Sequence, residues 1–420
     1  MKLFIKSAEI LCKSSEYNKK TVNVLIEDGI LIYIGNENKE ADFTIEAPNL
    51  KISDGWFDMR CSLRDPGFEH KEDVYTGIAA AAAGGFTEVA CLPNTNPGVN
   101  GKDVVEYIKS RQYNKLVSVH PMGYVSVDGK GNDLTEMIDM KKAGAVAFTD
   151  AENSVWHSGL LIKALQYLQT FDGILIQHAE DQNITKYGQM HEGIASTLLG
   201  LKGIPSISEE VIIARDLELL KYTGGKIHFS RISTEGSVEM IRKAKKEGLK
   251  VTCDIAAHQI AFIDEDLNSF DTNLKINPPY RGITDKEALI NGILDDTIDV
   301  IVSDHCPHEI ESKKLEFDLA DFGIIGLETA FSVFNTYSDN KITLEKILEK
   351  LTLNPRKLLQ ITQPSFEIGK EINITIFSPT EEFRFGDKKI KSRSQNSPFI
   401  GIPLKGKIYG VVNRGKISIS

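Results

Sequence analysis

Val300-Ile301-Val302-Ser303-Asp304-His305-Cys306-Pro307-His308 is the stretch on which the fold turns. Three β-branched apolar residues give way, with no linker, to a cluster of ionisable side chains. The apolar run is too short for a helix and is closed by polar residues and a proline, so it reads as a strand buried on both faces. Ile174-Leu175-Ile176-Gln177-His178 repeats the pattern. Buried parallel strands that end in polar loops are the mark of a barrel of alternating strands and helices, which carries its chemistry at the strands' C-terminal ends.

Working outward from these two runs, eight candidate strands end near Arg60, Asn94, Val125, Asp150, His178, Arg231, Ala257 and Asp304. Amphipathic segments at 103–113, 134–143, 207–222 and 235–247 lie between them. This alternation predicts an α/β chain with a (β/α)8 TIM-like barrel over residues 52–360. Residues 1–51 carry Thr21-Val22-Asn23-Val24-Leu25-Ile26 and Leu31-Ile32-Tyr33-Ile34 around the turn Asp28-Gly29, the pattern of antiparallel strands. Residues 361–420 behave alike, with Ile372–Ile376 and Lys407–Val412 punctuated by glycine and asparagine. The two ends are expected to form one small β-sandwich unit. Gly84-Gly85 and Gly224-Gly225 sit where helices end, and they suit C-caps rather than a phosphate loop.

Hydrophobic residues at 41% and charged residues at 26% are ordinary for a globular chain of 420 residues, which argues against disorder. Lys plus Arg number 49 against 59 Asp plus Glu, with no basic stripe, so nucleic acid is not an expected partner. The cysteines Cys12, Cys61, Cys91, Cys253 and Cys306 are odd in number and form no Cys-x-x-Cys pair, which suggests a reducing, cytoplasmic setting. No export or membrane segment is expected.

Asp58-Met59-Arg60-Cys61-Ser62-Leu63-Arg64-Asp65-Pro66-Gly67 closes the first predicted barrel strand. With it go Leu92-Pro93-Asn94-Thr95-Asn96-Pro97, Gly144–Asp150, Gln177-His178-Ala179-Glu180-Asp181, Ile276-Asn277-Pro278-Pro279, Ser303–His308 and Phe322–Thr329. In these motifs the chain resembles the dihydroorotases, amidohydrolases that open or close the cyclic amide of dihydroorotate. The resemblance implies a zinc site in which the metal lowers the pKa of a bound water and polarises the carbonyl, while the strand-eight Asp304 shuttles the proton.

Carried over position by position, Asp150, His178 and Asp304 match metal-site residues. Arg60, Ser62 and Arg231 stand where the family has histidine. A guanidinium has no lone pair to donate, so neither arginine can ligate zinc. The expectation is that zinc is absent or weakly bound and that Arg60 and Arg231 act as counter-charges to Asp150 and Asp304. Some amidohydrolases use a carboxylated lysine on the fourth strand, where this chain has Asp150.

On the substrate side the resemblance assigns Arg64, Asn94, Asn277 and His308 to the carboxylate and ring amides, with Phe322 and Gly323 on the loop above. His228 and His258 read as hydrogen-bonded structural residues. Cys61 and Cys306 lie close to the site without a neighbouring base in sequence and read as small buried hydrophobes. The functional expectation is a dihydroorotase-like protein of pyrimidine biosynthesis with zinc catalysis impaired or lost. Dihydroorotate or carbamoyl-aspartate is the expected ligand, aspartate transcarbamoylase the expected protein partner, and a homodimer the expected assembly. The competing expectation is an active enzyme with a reduced single-metal site.

Overall fold

The computed structural model describes residues 1–419. Its centre is a parallel barrel of β1 (Trp56–Cys61), β2 (Phe86–Cys91), β3 (Ser118–Pro121), β4 (Phe148–Thr149), β5 (Leu175–His178), β6 (Ile227–Ser230), β7 (Val251–Ala256) and β8 (Val300–Val302). Hydrogen bonding runs β1-β2-β3 in one sheet and β4-β5-β6-β7-β8 in the other. Two parallel bridges join the sheets into a ring, Gly123 with Phe148 and Cys61 with His305. At the second seam the Ser62 amide donates to the His305 carbonyl at 2.8 Å.

Period-two alternation sorts the apolar runs as a two-faced strand requires. Val300 and Val302 fill the barrel with Ile174, Ile176, Phe57 and Met59. Ile301 and Leu175 face outward into the layer beneath the helices. Those helices include Val74–Ala83, Lys102–Arg111, Met137–Ala143, Ser158–Gln169, Ile207–Thr223, Glu235–Lys246, Ile283–Leu294 and Leu344–Leu351. Gly84 and Gly224 terminate two of them, and Gly224 does so at φ 72°, where a side chain would be strained.

Two strands end earlier than their sequence suggests. The third strand stops at Pro121 rather than Val125, because the amides of Val125 and Ser126 turn to the carboxylate of Asp150. The second stops at Cys91 rather than Asn94, just before Pro93, which has no amide proton to offer.

Two buried aspartates pin the rim on which the site stands. Asp58 on β1 accepts from the Ser303 amide at 2.7 Å and its hydroxyl at 2.6 Å, which ties β8 to β1. Burial pushes its carboxyl up to about 7 even though the Ser303 bonds favour the ionised form. Asp254 on β7 accepts from the Arg231 amide at 2.6 Å and meets His228 Nε2 at 2.8 Å. Just past the strand ends, Arg64, Ala151, Arg231 and Asp304 all adopt positive φ, between 48° and 60°. Left-handed backbone costs a non-glycine residue about 1–2 kcal/mol, so these residues are held in place by their surroundings.

Both chain ends enter one eight-stranded sheet, in which Lys51–Asp54 lies between Lys2–Leu11 and Ile374–Arg384. Asp28-Gly29 forms its hairpin turn, with φ 49° and 77°.

Glu88 on β2 fastens this sheet to the barrel floor. One carboxylate oxygen accepts from Arg356 NH2 at 2.8 Å and Asn373 Nδ2 at 3.0 Å, and the other meets His120 Nε2 at 2.8 Å. Burial opposes ionisation, but the His120 bond and the Arg356 charge bring the carboxyl down to about 2. A carboxyl depressed in the folded state stabilises it above its unfolded pKa, and that contribution fades as pH falls from about 4.5 through about 2. Glu88→Gln is therefore expected to cost about 2 kcal/mol at neutral pH, less than outright loss of a buried partner because glutamine keeps one acceptor oxygen. The variant's denaturation midpoint should also change less than the parent's across the acid range. Equal acid sensitivity of the two proteins would contradict the assignment.

Candidate active site

At the C-terminal mouth of the barrel, Arg60 from the end of β1 and Arg231 from the end of β6 converge on two carboxylates. Arg60 Nε donates to Asp304 Oδ1 at 3.1 Å and its NH2 to Glu152 Oε1 at 2.8 Å. Arg231 NH1 lies 3.2 Å from both oxygens of Asp304, and its NH2 donates to Glu152 Oε2 at 2.6 Å. Each arginine thus bridges the same two carboxylates, and the four formal charges cancel. Arg60 and Arg231 are 2% and 4% exposed, so their charges are sustained by these partners rather than by water.

The ring continues outward through His178 and Asn277. His178 Nδ1 lies 3.3 Å from Arg231 NH2, and its Nε2 is 2.9 Å from Glu180 Oε2. Asn277 donates to Glu180 at 2.8 Å, while its carbonyl accepts from Arg231 NH1 at 2.7 Å. His258 Nε2 stands 3.6 Å from Asp304 Oδ2.

Burial acts to raise the Asp304 carboxyl, but Arg231, His258 and Arg60 outweigh it and hold the group well below the usual carboxylate range. Glu152 shows the same balance: burial raises it, and the charges of Arg231 and Arg60 bring it down to about 2. More than a third of the Glu152 side chain meets solvent, which damps its worth to stability. Glu180 falls to about 2 because the bond and charge of His178 overcome its burial.

Asp150 stands outside this ring, and here the expected pairing is corrected. Its oxygens accept from the amides of Val125 at 3.1 Å and Ser126 at 2.9 Å, and from the Ser126 hydroxyl at 2.5 Å. The arginines' second partner is Glu152, two residues further on. Burial raises the Asp150 carboxyl despite those bonds.

The zinc that the resemblance implies does not fit these residues. Both Asp304 oxygens accept from guanidinium donors, whose charges would repel a dication, His178 lies between Arg231 and Glu180, and Asp150 faces a loop serine. Among the described residues no three His, Cys, Asp or Glu side chains are grouped so as to hold a metal ion.

A second cluster lies beside the first. Arg64 NH2 is 3.1 Å from Cys306 Sγ and 3.4 Å from His308 Nε2, and Cys306 Sγ is 3.5 Å from the same Nε2. His308 Nδ1 meets Asp321 Oδ2 at 3.1 Å. Lys71 Nζ stands 3.2 Å from that nitrogen and 3.4 Å from the carboxylate. Burial raises the Cys306 thiol, yet Arg64 and His308 bring it below its ordinary value. Cys306 is half-buried, unlike Cys12, Cys61, Cys91 and Cys253, and His308 stands beside it, so the expectation of a buried residue without a neighbouring base is corrected.

Phe322 and Gly323 cover this cluster from the loop above. A Cβ on Gly323 would lie 2.6 Å from Cys306 Sγ, and the residue's φ of 129° independently calls for glycine. Lys313 Nζ and Asn396 Nδ2 hold the Gly323 carbonyl, at 3.1 and 3.0 Å. Ser62 is buried with its hydroxyl unpartnered among the described residues. Asn94 follows β2 at the same rim, half-buried.

Comparison with known proteins then decides the family. A model described as Dihydro-orotase-like matches residues 50–237. The dihydroorotase of Acetivibrio thermocellus is 42% identical over 422 residues, spanning 99% of each chain. That of Thermoanaerobacter sp. (strain X514) is 41% identical over 421 residues, 99% of this chain and 97% of the other. The chain belongs to the dihydroorotase family.

Solved structures agree on the architecture. An L-hydantoinase from Arthrobacter aurescens matches at TM-score 0.84 and 22% identity, covering 100% of this chain and 96% of that one. A D-hydantoinase matches at 0.82 and 20%, covering 100% and 95%. At such identities the likeness is one of fold, the amidohydrolase barrel with its β unit.

Within this dihydroorotase-family barrel, sequence reasoning passed over Glu152, Glu180 and the base beside Cys306. The signals existed. Two buried arginines demand two counter-charges, and Glu152 is the next carboxylate after Asp150 on the same strand end. His308 lies only two residues beyond Cys306.

Proposed function

We propose that this dihydroorotase-family chain works in pyrimidine biosynthesis without zinc hydrolysis, as a structural or regulatory partner of aspartate transcarbamoylase. One observation carries the reading: Arg60 and Arg231 occupy Asp304, the residue that would shuttle the proton, and they repel a dication. The pocket positions Arg64, Asn94, Asn277, His308, Phe322 and Gly323 are retained, which supports residual binding of dihydroorotate or carbamoyl-aspartate. Arg64 suits a planar carboxylate because its fork can donate two parallel bonds. A cytoplasmic homodimer completes the proposal. Five cysteines without a disulfide support the reducing compartment, and among the described residues no helix is long and apolar enough to cross a membrane.

The second reading is an active dihydroorotase that recruits one metal through Asp150, His178 and Asp304. It is favoured by relatives near 40% identity over almost the full length that carry the dihydroorotase name. Metal content of protein purified without chelator, measured together with dihydroorotate turnover with and without added zinc, separates the two. The first reading expects no stoichiometric metal and no turnover. Roughly one metal per chain, with turnover lost in Asp304→Ala, would establish the second.

A further inference from the structure

We propose that Cys306, His308 and Asp321 form a nucleophilic thiol centre that takes small carboxylates bearing an electrophilic carbon and is covalently modified by them. The arrangement has the parts such a centre needs: a nucleophile, a base within reach of it, and a carboxylate that orients the base. Cys306 Sγ is 3.5 Å from His308 Nε2, and His308 Nδ1 is 3.1 Å from Asp321 Oδ2. With Nδ1 protonated toward Asp321, the tautomer that the carboxylate favours, Nε2 faces the sulfur as an acceptor.

The charge around the thiol selects the reagent. Arg64 NH2 lies 3.1 Å from the sulfur, so an incoming group meets a cation beside the nucleophile, while Lys71, on the far side of the His308 ring, is paired with Asp321 and Glu309. Arg64 Nε and the hydroxyl of Ser62, at the same strand end, are buried and unpartnered among the described residues. Donors of this kind suit a carboxylate. Glycine at position 323 keeps a side chain off the sulfur, to which a Cβ would come within 2.6 Å.

In the modification the thiol proton passes to His308 Nε2 as a sulfur lone pair forms the new C–S bond. The leaving group departs with the electron pair of the bond it breaks; with a haloacetate, the C–halogen bond breaks and halide is released. The S-carboxymethyl product would lie between Arg64 and His308 and close the carboxylate pocket. The proposal stands whether or not the chain turns over dihydroorotate.

The test uses the full-length native protein with iodoacetate and iodoacetamide at equal concentration, followed by peptide mass spectrometry over time. Free thiols react faster with the neutral amide. Cys306 is expected to be labelled first among the five cysteines and to favour iodoacetate by roughly 10-fold, as the attraction of an anion to Arg64 beside the sulfur allows. Arg64→Gln should abolish the preference, while Asp321→Asn should slow both reagents and leave the preference intact. The parent's reagent ratio needs no variant to be read, so a misfolded variant does not blunt the test. The proposal is overturned if native Cys306 resists both reagents, if it follows the free-thiol order, or if well-folded Arg64→Gln retains the preference.

Discussion

Asp304→Ala is expected to destabilise the protein by about 3–5 kcal/mol, because it strips two buried guanidiniums of their shared partner. Arg60 would keep only Glu152, and Arg231 would keep Glu152 and the Asn277 carbonyl. Glu152 is part-exposed and cannot alone offset two desolvated cations. Chemical denaturation should show a lower midpoint with an unchanged slope. Adding Arg231→Met should return part of the loss, and the coupling measured by the double-mutant cycle should be about 0.5–3 kcal/mol. A midpoint identical to the parent's would mean that the two arginines do not depend on Asp304.

The second large effect comes from putting histidine at all three altered positions. Arg60→His/Ser62→His/Arg231→His removes both guanidiniums from Asp304 and supplies three imidazoles at the barrel mouth. The triple variant is expected to bind roughly one zinc per chain, since three protein ligands already suffice for a catalytic zinc site. Metal analysis checks this directly. Without metal the variant should be less stable than the parent, because Asp304 and Glu152 lose their counter-charges. Zinc should then raise its thermal midpoint and a chelator lower it, as expected of a ligand that binds only the folded state. If the variant takes up no more zinc than the parent, the arginine cluster is not the equivalent of a metal centre.

Much of the barrel was legible in the sequence because burial on both faces leaves a local trace. Val300-Ile301-Val302 and Ile174-Leu175-Ile176 are apolar at every position, and the structure buries each one. Strand ends were less legible where partners lie elsewhere in the chain. Nothing around Val125 announces that its amide is drawn to Asp150.

The site followed the same division. The missing histidines could be read from motif positions, and so could the inability of arginine to ligate a metal. Which carboxylates answer the arginines could not be read, because residues 60, 152, 231 and 304 meet only once the ring closes. Asp150 stands at the fourth strand's end as an arginine partner would, but Ser126 occupies its carboxylate. The Cys306–His308 contact was legible in principle, since residues two apart on an extended segment share a side.

The shared use of Asp304 and Glu152 by both arginines carries a historical consequence. Changing either arginine alone to histidine leaves the two carboxylates short of positive charge and yields a half-built metal site. Changing both still leaves position 62 without an imidazole. Every single-step route back to a metal centre therefore crosses a less stable protein, although the end of the route is stable when metal is supplied. The cluster works as a ratchet: with both arginines in place, selection for a folded chain alone would keep them there.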